Sequence, residues 1–286
     1  MIKKQKNGKA QGICISAKRL TKPHGQGIIK YRPCEQERCE GMEGFIDMHC
    51  HILPGVDDGA KDIDETRQML RIAYEEGIRC IIATPHHHPR RGKENPKVLR
   101  RQAKLLREAA HEIDEHFRIY LGTEIFFGQD VVDKLEARQI LTMNGRDYVL
   151  VEFSPSDTYA YIRQSLQQLQ LSGYQVILAH VERYNCIVKD AELAEQLWEM
   201  GIHLQVNADS IIGENGREVK KFVKYLMDSD MLFCVGTDAH SSRHRAPRMK
   251  KAAGFVKKKY GEEYMRRIFF SNAKTMLKKL QKNELR

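Results

Sequence analysis

The chain has 286 residues, 41% of them hydrophobic, which is enough to build a real core and excludes global disorder. No run approaches the eighteen apolar residues of a membrane helix, and the QGICIS stretch from Gln11 to Ser16 is too short for a signal-peptide core, so the expected location is cytoplasmic. The net charge of +10 is uneven: residues 45–242 hold 23 Lys/Arg against 31 Asp/Glu, residues 1–44 hold 10 against 4, and residues 243–286 hold 15 against 3. Basic ends on an acidic body suit an acidic partner and leave room for membrane-proximal association. Seven scattered cysteines (Cys14, Cys34, Cys39, Cys50, Cys80, Cys186 and Cys234) contain no C-x-x-C pair, which fits a reducing compartment rather than a disulfide framework.

Residues 1–43 are rich in Lys, Gly and Gln without sustained periodicity, and read as a flexible basic N-terminal extension. From residue 44 to 286 the pattern changes. Short, near-continuous apolar runs at Gly44–Met48, Cys80–Ala83, Ile119–Leu121, Tyr148–Val151, Val176–Ala179, His203–Val206 and Leu232–Val235 predict parallel strands buried on both faces. Amphipathic stretches separate them: Asp62–Glu76, Pro96–Ile113 with proline in the first turn, Tyr159–Leu171, Glu192–Met200 and Glu218–Asp228. Arg248–Tyr260, Glu262–Phe270 and Asn272–Gln281 close the chain as helices. Seven strands alternating with helices imply a parallel α/β barrel or a doubly wound sheet.

Each predicted strand delivers a polar or metal-ligating residue type at its C-terminal end. In chain order these are Asp47 with His49 and His51, His86-His87-His88, Glu124, Glu152, His180 with Glu182 and Arg183, Asn207, and Asp238 with His240. In parallel barrels that end carries the active site. The pairs His49-x-His51 and Asp238-x-His240 put two donors on one side of an extended segment, as two ligands of one metal require. Imidazole and carboxylate donors without thiolate suit Mn²⁺, Fe or Zn²⁺, and several carboxylates suit a multinuclear centre that activates water against phosphorus. Arg183 and Arg245 are candidates to fork onto phosphate oxygens. Cys50, between the two histidines, points away from them into packing. No Cys is followed by Arg six residues later, and no phosphate-binding glycine loop or G-x-S-x-G elbow occurs, which excludes three other routes to ester hydrolysis.

The segment from Phe45 to Ala60 (FIDMHCHILPGVDDGA) closely resembles the opening motif of the bacterial metal-dependent protein-tyrosine phosphatases of capsule and exopolysaccharide clusters, in the polymerase-and-histidinol-phosphatase (PHP) superfamily. Ala83–His87, Gly122–Ile125, His180–Tyr184 and Thr237–His240 match the later motifs in order. The resemblance covers about residues 44–280. It implies a distorted (β/α)7 TIM-like barrel with up to three Mn²⁺ or Fe ions. His49, His51, Glu124 and Asp238 would hold one metal, with Glu124 bridging to a second, and His86, His180, Asp58 and His240 would serve the remaining sites. Arg183 and Arg245 match phosphate-gripping positions, with Arg243 in the same basic loop as an alternative to Arg245, and His240 is also a candidate general acid. The implied substrate is phosphotyrosine on the C-terminal tail of a cognate bacterial tyrosine kinase, whose dephosphorylation would regulate polysaccharide synthesis. A small-molecule phosphomonoesterase such as a histidinol phosphatase, and a PHP-type nuclease, are the alternatives, although an acidic body is poorly suited to nucleic acid. No segment specifies a subunit interface.

Overall fold

The computed structural model describes residues 43–88, 90 and 95–278. The expected N-terminal extension, apart from Glu43, and the end of the last predicted helix at Gln281 lie outside the described residues.

Among the described residues nine parallel strands form the frame: β1 (Phe45–Cys50), β2 (Ile78–Ala83), β3 (His86–His87), β4 (Arg118–Leu121), β5 (Glu124–Phe126), β6 (Tyr148–Glu152), β7 (Gln175–Leu178), β8 (His203–Asn207) and β9 (Leu232–Gly236). They make a sheet β1-β2-β4 and a sheet β3-β5-β6-β7-β8-β9. β3 continues the line of β2 past Pro85, which has no N–H for a ladder, and β5 continues β4 past Gly122-Thr123. Hydrogen bonds carry the pairing across both breaks: Thr84 N donates to Cys50 O at 3.0 Å, Gly122 N to Ala83 O at 2.8 Å and Glu124 N to Pro85 O at 3.1 Å. The nine strands therefore act as seven staves. The ring closes between β1 and β9, where Cys50 bridges Ala239, His51 N donates to Ala239 O at 2.9 Å and Asp238 N to His49 O at 2.7 Å. Buried Asp47 reinforces this seam by accepting from Thr237 N at 2.9 Å and Thr237 Oγ1 at 2.5 Å. The result is a distorted (β/α)7 barrel.

The strands are apolar on both faces because both are covered. On β6, Val149 and Val151 join the large cluster shared with the helices, whereas Tyr148 and Leu150 join a second cluster. Leu150 shares its face with Glu152, so that second face runs up to the C-terminal end where polar residues take over. The helices start where the sequence offers caps. Asp62 accepts from Glu65 N ahead of the helix Ile63–Glu75. Asn95 caps Pro96–His111, which has proline in its first turn, and Thr158 caps Tyr159–Leu171. The closing helices Lys250–Tyr260, Glu262–Arg266 and Asn272–Lys278 follow one another, the last two joined by a π-turn over Arg267–Ser271. Among the described residues, no helix is long and apolar enough to cross a membrane.

Candidate metal centre

The C-terminal ends of the strands and the loop after β1 bring every predicted donor into one cluster, buried except for Asp58 at its outer edge. Among the described residues three sets of donor atoms each lie within 4.8 Å of one another: His49, His51, Glu124 and Asp238; His51, Asp58, His86 and His240; and His86, Glu124 and Glu152. In the first set, His49 Nε2 is 3.1 Å from His51 Nε2. Both nitrogens face Glu124 Oε2, at 3.2 and 3.1 Å, and Asp238 Oδ1, at 3.6 and 3.5 Å. Two ligands about 2.1 Å from one ion are about 3.0 Å apart across a right angle and about 3.4 Å apart across a tetrahedral one. These spacings are those of donors sharing a cation.

The other sets share members with the first. Glu124 Oε2 is also 3.0 Å from His86 Nδ1, and Glu124 Oε1 accepts at 2.8 Å from His180 Nε2. Glu152 Oε1 lies 3.1 Å from His86 Nδ1, and its Oε2 lies 3.8 Å from His180 Nε2. On the outer side, Asp58 Oδ1 is 3.3 Å from His86 Nε2 and 3.5 Å from His240 Nε2. Buried His86 Nδ1, His86 Nε2 and Glu124 Oε2 make no hydrogen bond of acceptable geometry despite these short approaches. Buried polar atoms are rarely left so, and a bound cation is the arrangement that satisfies them together. The donor set thus fits a multinuclear metal site.

Neighbouring groups fix which nitrogen each imidazole presents. His49 Nδ1 meets Gln205 Oε1 at 3.1 Å, and His51 Nδ1 meets Asp57 Oδ2 at 2.8 Å, so both rings turn Nε2 inward. Asp57 also accepts from His86 N at 2.9 Å and from Gly59 N at 3.0 Å, which ties the loop after β1 to β3. His240 Nδ1 donates to Asp238 O at 2.9 Å, since a carbonyl can only accept; its Nε2 is thereby left facing Asp58. His180 and Asp238 adopt left-handed backbone conformations, at φ 32° and 51°, a strain common at functional sites.

Electrostatics show the charge the cluster demands. At His49, His51 and His86 burial works against the charged imidazole, but the neighbouring carboxylates outweigh it. His51 is pushed up to about 9 by Asp57 and Glu124, and His86 to about 12 by Asp58, Glu124 and Glu152. His49 is raised as well, by Glu124 and Asp238. His240 differs: burial and the adjacent His51 lower it. Burial alone would raise Asp238 and Glu124, yet His49, with Arg183 beside Asp238 and His180 beside Glu124, holds both below the usual carboxylate range. A site that drives protons onto buried histidines is one that accepts metal cations.

Both predicted arginines converge on Asp238. Arg183 lies 2.5 Å and Arg245 2.7 Å from Asp238 Oδ2, opposite the oxygen turned toward the histidines. Asn207 Nδ2 donates to the same oxygen at 3.1 Å. Arg243 and Arg245 are both exposed on the loop, but Arg245 turns its guanidinium onto Asp238, donating to Asp238 O at 2.9 Å, and its carbonyl accepts from His240 N at 2.9 Å. Cys50 is fully buried in the core, as expected. Glu152, Asp57 and Gln205 join the predicted residues. Glu152 was visible as a polar strand end. Neither Asp57 nor Gln205 carries a local signal: Asp57 is one of two adjacent aspartates in the loop after β1, and His49 and His180 reach Gln205 from distant segments.

The whole assembly has close counterparts. A family model for capsular polysaccharide synthesis, CpsB/CapC, matches residues 45–278. The tyrosine-protein phosphatase CpsB of Streptococcus pneumoniae is 30% identical over 238 residues, 82% of this chain and 98% of its own. The tyrosine-protein phosphatase YwqE of Bacillus subtilis is 35% identical over 219 residues, 77% of this chain and 86% of its own. A crystal structure from work on YwqE and CpsB, described as unique metal-dependent tyrosine phosphatases, superposes with a TM-score of 0.76 at 34% identity, covering 82% of this chain and 96% of that one. A lactonase from Listeria monocytogenes shares only the fold, with a TM-score of 0.57 at 12% identity. With the family's pattern running from the first strand to the last described helix, this chain belongs to the CpsB/CapC family of capsular polysaccharide synthesis.

Proposed function

We propose that this chain is a cytoplasmic, metal-dependent protein-tyrosine phosphatase that acts on phosphotyrosine in the C-terminal tail of a cognate bacterial tyrosine kinase and so regulates capsule or exopolysaccharide synthesis. The observation that carries the reading is the set of three donor clusters linked pairwise by His51, His86 and Glu124, with two arginines converging on Asp238 beside them. The activity of the CpsB and YwqE relatives supports it.

In this proposal His49, His51, Glu124 and Asp238 would hold one ion, with Glu124 bridging to a second, and Glu152, His180, Asp58, His240 and one ring nitrogen of His86 would serve the remaining sites. Mn²⁺, or Fe or Zn²⁺, bound there supplies Lewis acidity toward the phosphoryl group and acidifies water at neutral pH. Arg183 and Arg245 turn from Asp238 Oδ2 onto the phosphoryl oxygens and stabilise the charge that builds there in the transition state. The Nδ1–H of His240 is engaged with the Asp238 carbonyl, which favours a ligand role at Nε2 over that of general acid. The tyrosyl leaving group needs little protonation, since its phenol has a pKa near 10. The exposed lysines Lys250, Lys251, Lys257, Lys258 and Lys259 on one closing helix support membrane-proximal association.

A histidinol phosphatase calls for a closed pocket around a small ester, whereas the centre here opens onto a cleft of about 630 Å³. The test is phosphate release from a phosphotyrosine peptide by metal-stripped protein, with and without added Mn²⁺, beside histidinol phosphate. Mn²⁺-dependent turnover of the peptide, abolished by His49→Ala or Asp238→Ala, is expected. Turnover of histidinol phosphate alone overturns the proposed substrate, and near-wild-type activity of the Ala variants overturns the assigned residues.

A further inference from the structure

The cleft beside the metal centre has Glu152, His180 and Arg183 at its floor and Phe126, His88 and Pro155 on its wall. The strand register explains how that wall is built. β3 and β5 pair His86 with Glu124 and His87 with Ile125. The next step of the same register sets His88 beside Phe126, and their rings meet edge to face at 4.4 Å between centroids and 73°. Residues two apart on a strand share a face, so His88 stands over His86 and Phe126 over Glu124. The pair forms a second layer about 6.7 Å beyond the donor layer, toward the barrel mouth. An ester whose phosphoryl group is held at the donor layer and Arg183 projects its leaving group into this layer. A phenyl ring bonded to that phosphorus through oxygen lies between the two layers, its far edge within contact distance of the second.

Phe126 is not needed to fill the barrel. Its neighbours Ile125 and Phe127 are buried members of the main core cluster, while Phe126 belongs to neither cluster and is only half-buried. Phe153, which also lines the cleft, is buried against Phe127, Tyr161 and Tyr184, a rigid aromatic cluster. His88 is held in place because its Nδ1 accepts from Arg90 N at 3.0 Å. Pro155, exposed on the loop after β6, adds an apolar edge that has no side-chain entropy to lose. An open aromatic face one layer above a phosphoryl-binding floor stacks or packs edge-on against a planar ring, and offers an alkyl chain much less.

We infer that Phe126, supported by His88 and Pro155, is the specificity-determining residue that selects aryl over alkyl phosphomonoesters by holding the phenyl ring of the leaving group. The inference rests on the phosphatase reading above and names the part of the cleft that recognises the substrate. Its test compares wild type, Phe126→Ala and Phe126→Tyr, all loaded with Mn²⁺, on one peptide carrying phosphotyrosine or phosphoserine, with inhibition by inorganic phosphate measured in parallel. Phe126→Ala is expected to lower the ratio of kcat/KM for phosphotyrosine over phosphoserine by about tenfold, mostly through KM. Phe126→Tyr is expected to restore most of that ratio. The inhibition constant of inorganic phosphate, which lacks a ring, should move by less than about twofold in either variant. An unchanged ratio in Phe126→Ala overturns the inference while leaving the phosphatase reading intact. Equal losses on both peptides and on phosphate binding also overturn it, because they mark a structural role. Wild type that turns over neither peptide overturns the phosphatase reading itself, and the subsite falls with it.

Discussion

Metal loading is expected to release protons, and the number follows from the site. In the metal-free protein His51 sits at about 9, against 6.5 for the free side chain, so it holds its proton by roughly 3 kcal/mol relative to water. His86, pushed up to about 12, is protonated throughout the neutral range. A coordinating imidazole must be neutral, so filling the sets that contain these two residues displaces about two protons at pH 7. Apparent affinity should then rise by up to about a hundredfold per pH unit around neutrality, about tenfold for each proton displaced. Stability of the metal-free protein runs the other way. Both histidines have folded values above their unfolded ones, so the stabilisation from their carboxylate partners is fully present below about pH 6.5 and, for His51, is lost as pH rises through about 9. The gap in Tm between loaded and stripped protein should widen across that window. Calorimetric titration with Mn²⁺ in buffers of different ionisation enthalpy counts the protons, and melting curves at several pH values follow the gap. Binding that releases no protons and keeps one affinity from about pH 6 to 8 would refute the assignment of His51 and His86 as ligands.

Two further outcomes follow from the groups around the donors. Gln205→Leu should leave His49 Nδ1 and His180 N without their shared acceptor and weaken metal affinity by about 10–100-fold, read by competition with a chelator; unchanged affinity would show that Gln205 does not set the orientation of His49. Gly236→Ala should destabilise the protein by about 1–3 kcal/mol, because a Cβ there would lie 2.5 Å from His49 Cβ and 3.2 Å from Gln205 Nε2; a wild-type melting curve would mean that β1 and β9 yield at the seam.

Much of the fold was legible because burial on both faces writes itself into the sequence. The seven apolar runs are the seven staves, and the predicted helix Asp62–Glu76 became Ile63–Glu75 with Asp62 as its cap. What escaped was short or set by other segments. β3 and β5 are two and three residues long, and the helices Val131–Glu136, Asn185–Lys189 and Ala208–Ile212 are too short to display a period. The same division runs through the site. His49-x-His51 and Asp238-x-His240 announce themselves by spacing, and all eight predicted donors lie in one cluster. Asp57 looks like its neighbour Asp58 until the loop after β1 folds it onto His51, and Gln205 looks like any other polar residue until the barrel closes and sets it against His49.

His180 shows how far strand alternation carries a sequence argument and where the backbone takes over. On β7, Val176 and Leu178 face the helix-side core, while Ile177 and the following Ala179 join the other cluster. Strict alternation would therefore send His180 outward, away from the donors. Its left-handed conformation, at φ 32° and ψ 58°, breaks the alternation and brings the ring to Glu124, 2.8 Å away. Such a conformation costs a non-glycine residue on the order of 1–3 kcal/mol and persists only where the surroundings over-determine it. Here they do: His180 N donates to Gln205 Oε1 at 2.8 Å, and His180 O accepts from Arg183 N at 2.8 Å. The second bond also begins the turn that carries the Arg183 side chain to Asp238. One strained residue thus places a donor and aims an arginine, and the amide that holds its backbone is the same Gln205 that orients His49, which couples opposite sides of the centre through a single side chain.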